Sequence, residues 1–598
     1  MSLHRLTPSL ELKARMSSAR TGLGLLVALA FLYICARAAL VPLTHDEAAT
    51  FQTYVLTGNY LPYLAHWDAG NHLLTTAVAR GSYLLFGSEP LALRGFSALC
   101  FLLWGWYALR FTRLLDQAVF RIALFMALLL TPFVLEFFAL FRGYGPSLAF
   151  LLMALFHAVR LATEARRMDL VLSLIAMLLA CVASLSLIML WCMLVAGSAA
   201  VLLRNQRRDA TSWAALLLFG FLPLLLAAHY SFELSARGLL YFGTDDGLLA
   251  GTMASLANWV LGVGHPLVGA MLMLMPIPLG AWALRVGRHR LVIGALLLLI
   301  LGELLGRFIL AQAFGVLYPQ DRTAMHLVPL LLMLFGFSIA ALAQERPWLK
   351  WSALFLFALP IRTVFELNLD RTAYWPEQAI PAEVFNAVTE RKAHSARPLL
   401  ISGYHQHAAV WAYGSMRRNG SLPMLDVIGF PQPTCDLMLI DRSYFEVPQG
   451  FSVVAEAPHG KLALMQRDSP LATNIAMDTV IRIQPTDAEF SELLVAEDAA
   501  WLAEGCLIEI DAVLRSEAMP MDLRLVVELK DADGASLHYD VVDAQRIRAH
   551  WQGDAWREIR RVPAHQGAAR LVCYFWNPQR RAFSADRVQV KAHRMHQP

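Results

Sequence analysis

The sequence predicts a polytopic α-helical membrane protein with an α/β domain and a β-sandwich at its C-terminal end. Of the 598 residues, 57% are hydrophobic and 16% are charged, and the mean hydropathy is +0.49. A soluble chain of this size is far less apolar. Apolar runs of membrane-spanning length fill the chain as far as Phe365, and polar sequence with strand-like alternation follows.

Runs of spanning length predict about eleven transmembrane helices. They lie near residues 21–41, 91–113, 119–136, 145–162, 170–186, 187–203, 213–229, 264–284, 291–310, 323–343 and 350–366. The basic segment 1–20 precedes a run that has no clear small-residue cleavage site, so the first run is predicted to be a retained helix. Two helices lying along the membrane interface are predicted between Thr44 and Pro90, because apolar residues recur there at helical spacing.

Arginine and lysine fall in alternate loops, near residues 110–121, 160–167, 204–208, 285–290 and 346–350. The positive-inside rule therefore predicts that these loops and segment 1–20 are cytoplasmic. The opposite loops hold most of the acidic residues. They and the tail after Phe365 are predicted to face the periplasm of a bacterial-type inner membrane. The net charge of +4 is small and dispersed, so nucleic acid is not a predicted partner, whereas membrane lipids are.

Composition divides the chain into four regions. Segment 1–20 is the cytoplasmic N-terminus, and residues 21–368 form the transmembrane domain with an outer loop at 42–90. Short strands with glycine and proline punctuation predict a small α/β domain over 369–468. Alternation and turn signals predict a jelly-roll-like antiparallel sandwich over 469–598, and residues 470–598 are expected to fold alone.

The acidic start of the outer loop is the first candidate site. Thr44 and Glu47 have the spacing of a capping box, in which each side chain satisfies a free amide at the start of a helix. Asp46 lies between them without a capping role, at a helix end that favours the ionised carboxylate. An oriented carboxylate at a membrane surface suits a general base. The alternative is that Asp46 is only a helix-start aspartate.

Further along the same loop, His66, Asp68, Asn71 and His72 form the second candidate site. Asp68 is a second candidate acid/base, and the other three are candidates for contact with an acceptor. Asp46, His66 and Asp68 are also side chains of the kind that hold a divalent cation. In the simplest alternative, His66 and Asp68 only bond loop backbone.

Two arginines in other outer loops are candidates for binding phosphate. Arg142 and Tyr144 lie in a turn between two spans, and Asp321 and Arg322 lie just before another. A guanidinium fork matches phosphate oxygens, and two of them would offset charge on a leaving phosphate. The alternatives are that Arg142 extends to lipid headgroups, that Tyr144 belongs to an aromatic belt, and that Asp321 is a structural ion-pair partner.

Together, four segments of this order and sidedness resemble the GT-C membrane glycosyltransferases, including protein mannosyltransferases and lipid A aminoarabinose transferases. The segments read DAGNHLLTT, FGSEPLALRGFS, RGYG and YPQDRTAMHLVPL, and the resemblance covers about residues 20–365. It implies a polyprenyl-phosphate-linked sugar donor and a catalytic aspartate in the first outer loop, which is Asp46 here. Many relatives have a proline pair where this chain has Asn71 and His72. The sandwich lies outside the common core, and its WNP and DRVQV segments resemble carbohydrate-binding modules.

The resulting hypothesis is an inverting glycosyltransferase that moves a sugar from a polyprenyl-phosphate donor to a periplasmic glycan, lipid or protein. The catalytic carboxylates are expected among Asp46, Glu47 and Asp68, and the donor phosphate is expected to contact Arg142, Tyr144 and Arg322. No cofactor is predicted other than a divalent cation. Two alternatives stay open. One is a transporter or flippase for a lipid-linked or small substrate, and the other is an inactive glycan-binding assembly protein.

Overall fold

The computed structural model describes residues 10–206, 209–418, 422–427, 430–497, 500–517, 523–543 and 555–595. The chain divides into two compact units, which we call the membrane unit (Met1–Leu40 and Gly58–Leu369) and the tail unit (Val41–Thr57 and Asp370–Pro598). The start of the predicted outer loop, residues 41–57, thus groups with the tail. Of the predicted cytoplasmic segment 1–20, residues 1–9 lie outside the described part, and helix Leu10–Leu40 includes the rest.

Within the described residues of the membrane unit, nine helices are long and apolar enough to cross a membrane. They are Gly22–Leu40, Pro90–Thr112, Tyr144–Glu164, Leu185–Arg204, Ala210–Ala236, Pro266–Val286, Arg290–Phe314, Leu327–Glu345 and Pro347–Glu366. The polytopic α-helical class is therefore confirmed. Helices Ala118–Leu129 and Pro132–Phe138 meet at a 52° bend and count as a tenth span if taken together. The bend falls where Pro132 has no backbone N–H to continue the first helix.

The remaining predicted span, 170–186, corresponds to helix Arg167–Ala183, which has 17 residues and packs along Tyr144–Glu164. All eleven predicted runs are helical, and nine or ten of them are long and apolar enough to cross a membrane. Two shorter apolar helices, Leu73–Phe86 and Leu248–Leu261, lie in loops between spans. The latter begins as a π-helix over Leu248–Met253.

Contacts between loops of the membrane unit follow the predicted alternation. Among the basic loops, Arg288 bonds Asp116 and Gln344. Among the acidic loops, Thr244 and Tyr318 form an isolated antiparallel bridge, and the Tyr63 hydroxyl lies 2.8 Å from Nδ1 of His229. In these examples basic loops contact basic loops, and acidic loops contact acidic loops. This is expected when successive spans place alternate loops on opposite sides.

The tail unit has two β-structures. The α/β part holds helices Ala382–Ala393 and His405–Met416 and five strands, with order β2-β1-β3-β5-β4. The five strands are β1 (Ile401–Gly403), β2 (Leu425–Asp426), β3 (Leu437–Asp441), β4 (Phe451–Glu456) and β5 (Leu462–Arg467). β1 pairs in parallel with β2 and β3, whereas β5 pairs antiparallel with β3 and β4. The sheet is thus mixed.

The sandwich consists of two four-stranded antiparallel sheets, ordered β10-β9-β12-β7 and β11-β8-β13-β6. Its strands are β6 (Thr473–Thr486), β7 (Phe490–Glu497), β8 (Cys506–Arg515), β9 (Arg524–Asp531), β10 (Ser536–Asp543), β11 (Ala555–Val562), β12 (Ala568–Trp576) and β13 (Phe583–Met595). Leucines, isoleucines and valines of the two inner faces form its core. The predicted sandwich is confirmed.

The sandwich and the α/β part share a second core. Leu507 of β8 and Ile559 of β11 are buried with Leu400, Met438 and Ile440 of the α/β part. Beside this core, the Nε of Arg561 donates to Asp426, 2.9 Å away, and both side chains are buried. Cutting the chain at residue 470 would expose this core and remove the partner of a buried arginine. That residues 470–598 fold alone stays a prediction.

Candidate active site

The predicted capping box at Thr44 and Glu47 is confirmed. The Thr44 nitrogen donates to Oε2 of Glu47 at 2.9 Å, and the Glu47 nitrogen donates to the Thr44 hydroxyl at 3.4 Å. The helix that starts here is α-helical over His45–Thr50 and continues as a π-helix over Phe51–Leu56. π-Helical turns are rare and recur near functional sites.

The two adjacent carboxylates have different environments. Glu47 is 0% exposed and takes part in the cap. The cap therefore accounts for this candidate catalytic carboxylate without any chemistry. Asp46 is half-buried and follows the N-cap in the first turn of the helix. Of the pair, Asp46 is therefore the carboxylate that a substrate can reach.

The helix that carries Asp46 is bonded to the α/β part of its own unit. The His45 nitrogen donates to Oε1 of Gln378 at 2.8 Å, and Nδ1 of His45 lies 2.8 Å from the carbonyl oxygen of Gln406. Sequence reasoning missed both glutamines. More than 300 residues separate them from His45, and nothing local in the sequence signals the contact.

The candidate residues His66 and Asp68 lie in the membrane unit, in a loop fixed by aromatic packing. Asp68 accepts a hydrogen bond from the Gly70 nitrogen at 2.7 Å, as in the loop-bonding alternative. Trp67 stacks on Tyr230 with ring centroids 5.2 Å apart, and the Arg237 guanidinium lies 4.2 Å from the Trp67 ring centroid. His66 is exposed. The carboxylate of Asp68 therefore has a structural task, which does not preclude a second one.

Asn71 and His72 differ in their surroundings. The Asn71 side chain donates to the Tyr60 carbonyl at 3.0 Å and so closes the loop. His72 is buried, and its Nδ1 lies 2.8 Å from the Ala183 carbonyl oxygen. Because a carbonyl can only accept, Nδ1 of His72 carries a hydrogen. The His72 ring meets that of Tyr144 edge-on at 4.9 Å. The structure thus brings together the predicted residues His72 and Tyr144.

The RGYG turn owes its shape to close backbone packing. A Cβ at Gly143 would lie 1.8 Å from the Ala183 carbonyl oxygen and 2.6 Å from Nδ1 of His72. Only glycine fits there. Arg142, next to it, is 4% exposed, so the alternative in which it extends to lipid headgroups is wrong. Arg142 is instead buried, next to the turn that contacts His72.

Asp321 and Arg322 each contact an aromatic residue that sequence reasoning did not single out. Asp321 accepts from the Trp259 indole nitrogen at 3.0 Å, and its own nitrogen donates to Ser255 at 3.0 Å. Its backbone has a φ of 50°, a conformation that aspartate tolerates better than most residues. The Arg322 guanidinium lies 3.8 Å from the centroid of the Phe242 ring. Asp321 therefore connects its loop to helix Ala254–Leu261. This is a structural role, as in the alternative above, although these two partners are not charged.

Glu303, buried within a span, bonds two other ionisable residues of the membrane unit. Oε1 of Glu303 accepts from Nε of Arg307 at 2.8 Å and lies 3.0 Å from Nε2 of His326. Arg307 also donates to the Ser186 carbonyl. Charges inside a bilayer are costly unless they are paired. This cluster joins the spans Arg290–Phe314 and Leu185–Arg204 to the start of Leu327–Glu345, which accounts for these residues without a transport pathway.

In the described part of the chain, no group of three or more His, Cys, Asp or Glu side chains is arranged to hold a metal ion. The structure therefore gives no support to a metal site there.

No protein-family model matches the chain, and no curated protein matches it either. Solved structures do. ArnT from Cupriavidus metallidurans bound to undecaprenyl phosphate is 14% identical with a TM-score of 0.41, over 74% of this chain and 98% of that one. Arabinosyltransferase EmbB from Mycobacterium smegmatis is 11% identical with a TM-score of 0.39, over 99% of this chain and 65% of that one. Arabinofuranosyltransferase AftD from mycobacteria is 12% identical with a TM-score of 0.38, over 96% and 60%.

Similarity of this size assigns no role to any residue.

Proposed function

We propose that this protein is an inverting glycosyltransferase that uses a polyprenyl-phosphate-linked sugar as donor. The observation that carries the proposal is the different burial and bonding of two neighbouring carboxylates. Glu47 is buried in the helix cap, and Asp46 is half-buried beside it. In this mechanism Asp46 accepts the proton of an acceptor hydroxyl while the oxygen attacks the anomeric carbon of the sugar. The bond between that carbon and the lipid phosphate breaks, and the configuration inverts. General-base help of this kind supplies about 10²- to 10⁴-fold in rate.

Arg142 and Arg322 would offset the charge that builds up on the departing phosphate. A guanidinium whose face stacks on an aromatic ring keeps its N–H groups in its own plane, which is the geometry that bonds phosphate oxygens. The Arg322 guanidinium carbon lies 3.8 Å from the centroid of the Phe242 ring, close enough for such a stack. Arg142 is held beside Tyr144 and the Gly143 contact to His72. Phosphate stabilisation by such pre-oriented cations is commonly the largest part of the catalytic effect.

The donor class has support from two directions. The sequence segments resemble enzymes that use polyprenyl-phosphate sugars, and the matched ArnT structure holds undecaprenyl phosphate. The experiment that tests the donor is incubation of the purified protein with radiolabelled polyprenyl-phosphate sugars of several kinds and separation of the products. Transfer of label to an acceptor or to water from at least one donor is expected. Label that moves across a vesicle membrane while still attached to its lipid would instead indicate a flippase.

For the acceptor we propose a glycan, because one face of the sandwich presents aromatic rings to solvent. Along β12, Leu571, Cys573 and Phe575 are buried, so alternation places Tyr574 and Trp576 on the opposite face. Phe490 of β7, 57% exposed, lies 5.8 Å from Tyr574, and Tyr539 of β10 is 51% exposed. Exposed aromatic patches with a polar surround mark binding surfaces, and flat rings suit the apolar faces of sugars. This surface we call the aromatic face: Phe490, Tyr539, Tyr574 and Trp576.

We further propose that the acidic loops and the tail unit face the periplasm of a bacterial inner membrane. The alternate distribution of arginine supports this orientation. The exposed Ser469 gives a direct test. In intact spheroplasts, a membrane-impermeant thiol reagent is expected to label Ser469→Cys. Labelling only after permeabilisation would reverse the orientation and place the donor in the other leaflet.

A further inference from the structure

The stretch that carries Asp46 is held at both ends by the α/β part of the tail unit, and the two ends are held differently. We call residues 41–57 the Asp46 segment. At its start, the His45 backbone nitrogen donates to Oε1 of Gln378 at 2.8 Å. Two turns later, Nε2 of Gln52 donates to the Ala409 carbonyl at 2.9 Å. Both glutamines are buried, with 4% and 7% of their surface exposed.

The start of the segment is the more closely defined end. A helix leaves its first backbone N–H groups without partners inside the helix. The cap satisfies that of Glu47 through Thr44, and Gln378 satisfies that of His45. The two contacts bracket Asp46 along the chain. They hold the peptide unit that precedes His45 and the one that follows Asp46, and so restrict the direction in which the Asp46 side chain leaves the helix.

The ring of His45 adds a third constraint at the same end. Its Nδ1 lies 2.8 Å from the Gln406 carbonyl oxygen, so Nδ1 carries the hydrogen and donates it. Gln406 lies in the first turn of helix His405–Met416, whose residue Tyr413 meets Phe51 edge-on at 5.5 Å. The contacts near Asp46 are thus polar and directional, whereas the far end combines one hydrogen bond with ring packing.

We propose that Gln378 is a positioning residue for catalysis, which holds the His45 amide so that the Asp46 carboxylate is oriented before substrate binds. The inference rests on the proposed role of Asp46 as base. Active-site groups must be held within about 0.5 Å of the productive geometry. A displacement of about 1 Å can cost about 10²-fold in rate without any direct contact to substrate. In this arrangement the α/β part contributes to the active site through the hydrogen bond of Gln378 to the helix that carries Asp46.

A matched pair of variants tests the proposal. Gln378→Ala and Gln52→Ala each remove one hydrogen bond from a buried glutamine that joins the same two parts of the chain, but only Gln378 acts beside Asp46. We expect Gln378→Ala to lower kcat by about tenfold or more while KM for the donor stays unchanged. Gln52→Ala should change kcat by less than about twofold and lower the melting temperature at least as much. Equal loss of kcat in both variants, or no loss in Gln378→Ala, would overturn the proposal.

A conservative variant separates position from stability. Gln378→Glu keeps an oxygen that accepts the His45 N–H, so it should recover most of the kcat lost in Gln378→Ala. It also adds a negative charge near Asp46, which should move the acidic limb of the pH profile upward. A variant that is merely destabilised would show neither recovery nor a moved limb.

The double variant distinguishes failure of this inference from failure of the proposed function. If Gln378 acts through Asp46, then Gln378→Ala added to Asp46→Asn lowers kcat no further. Near-normal turnover in Asp46→Asn alone would end the proposed role of Asp46. A large loss in Asp46→Asn together with normal turnover in Gln378→Ala would overturn only the positioning by Gln378.

Discussion

Oε2 of Glu47 lies 2.9 Å from the Thr44 nitrogen, and this bond separates the roles of two consecutive carboxylates. Glu47→Gln retains an oxygen that accepts the Thr44 N–H, and glutamine is accepted in the capping box. We expect that variant to keep much of its turnover. Asp46→Asn is nearly isosteric but is no longer a base. It should lose about 10²-fold or more in turnover while it stays folded and still binds donor.

Turnover and donor affinity of both variants decide between the two interpretations of Asp46. Asparagine is favourable at helix starts, so a purely structural Asp46 would tolerate the change. Normal turnover in Asp46→Asn would move the expected base to Asp68, even though the Asp68 carboxylate already accepts from Gly70.

The turn that follows Arg142 should be intolerant of any side chain at Gly143. The Cβ of alanine would lie 1.8 Å from the Ala183 carbonyl oxygen, which belongs to backbone and cannot turn aside. We expect Gly143→Ala to cost about 3 kcal/mol or more, since overpacking usually costs 1 to 3 kcal/mol. Donor binding should weaken as His72 and Tyr144 move. Gly95→Ala is the control, because nothing lies within 4 Å of its added carbon. A similar melting temperature for the two variants in detergent would contradict the prediction.

The class of fold and the order of helices could be predicted because each depends on local sequence. Apolar length predicts a span, and Thr44 with Glu47 predicts a cap, wherever the rest of the chain lies. The surroundings of the candidate residues could not be predicted in the same way. Trp259 beside Asp321, Phe242 under Arg322 and Gln378 at His45 depend on contacts between distant segments. Pro132 interrupts a span at a bend whose angle depends on packing as well as on the missing N–H.

The buried carboxyl of Glu558 should make the stability of the tail unit depend on pH. Burial raises its pKa from 4.5 to about 7, against a lowering effect of the Arg560 guanidinium. Between these two values the folded state holds a proton that the unfolded state has lost, so stability falls as pH rises through that range and then levels off. The loss amounts to about 3 kcal/mol above pH 7. Glu558→Gln keeps an acceptor for the Met424 nitrogen and should remove the dependence.

The measurement for Glu558 is thermal unfolding of the full chain at pH 5 and pH 8. The wild-type melting temperature of the tail transition should fall between them by more than that of Glu558→Gln. The control is Glu456→Gln, at an exposed glutamate of the same unit. An equal fall in wild type and Glu558→Gln would show that this carboxyl does not supply the effect.

The shared core of the tail unit predicts how its fragments behave. Residues 370–598 retain the core that includes Ile559 and Met438 and the pair of Arg561 with Asp426, whereas residues 470–598 lose Met438 and Asp426. We expect the longer fragment to unfold at a higher urea concentration, with a single transition for both β-structures. Asp426→Asn should lower the midpoint of the longer fragment, because it removes the charge that pairs with the buried Arg561. Equal midpoints for the two fragments would mean that the shared core adds no stability.

The aromatic face should contribute to glycan binding independently of catalysis. Phe490→Ala or Tyr539→Ala removes a ring that is more than half exposed, so the sandwich should keep its stability. We expect each to weaken binding of an oligosaccharide acceptor by about tenfold, the size typical for loss of one aromatic contact at a binding surface. Tyr444→Ala removes an even more exposed ring outside the sandwich and serves as the control. Glycan-array or calorimetric binding that is unchanged in all three would assign the acceptor to another surface.

The contacts of the Asp46 segment also have a consequence for biogenesis. Its hydrogen bonds reach from His45 to Gln406 and from Gln52 to Ala409, across 361 and 357 residues. During synthesis, therefore, the segment emerges long before the surface that it packs on, and every intervening span must be inserted first. A chain that stalls or is cut within those spans cannot form the contacts that the Asp46 segment makes with the tail. If Asp46 is the base that we propose, truncated translation products are therefore expected to be inactive.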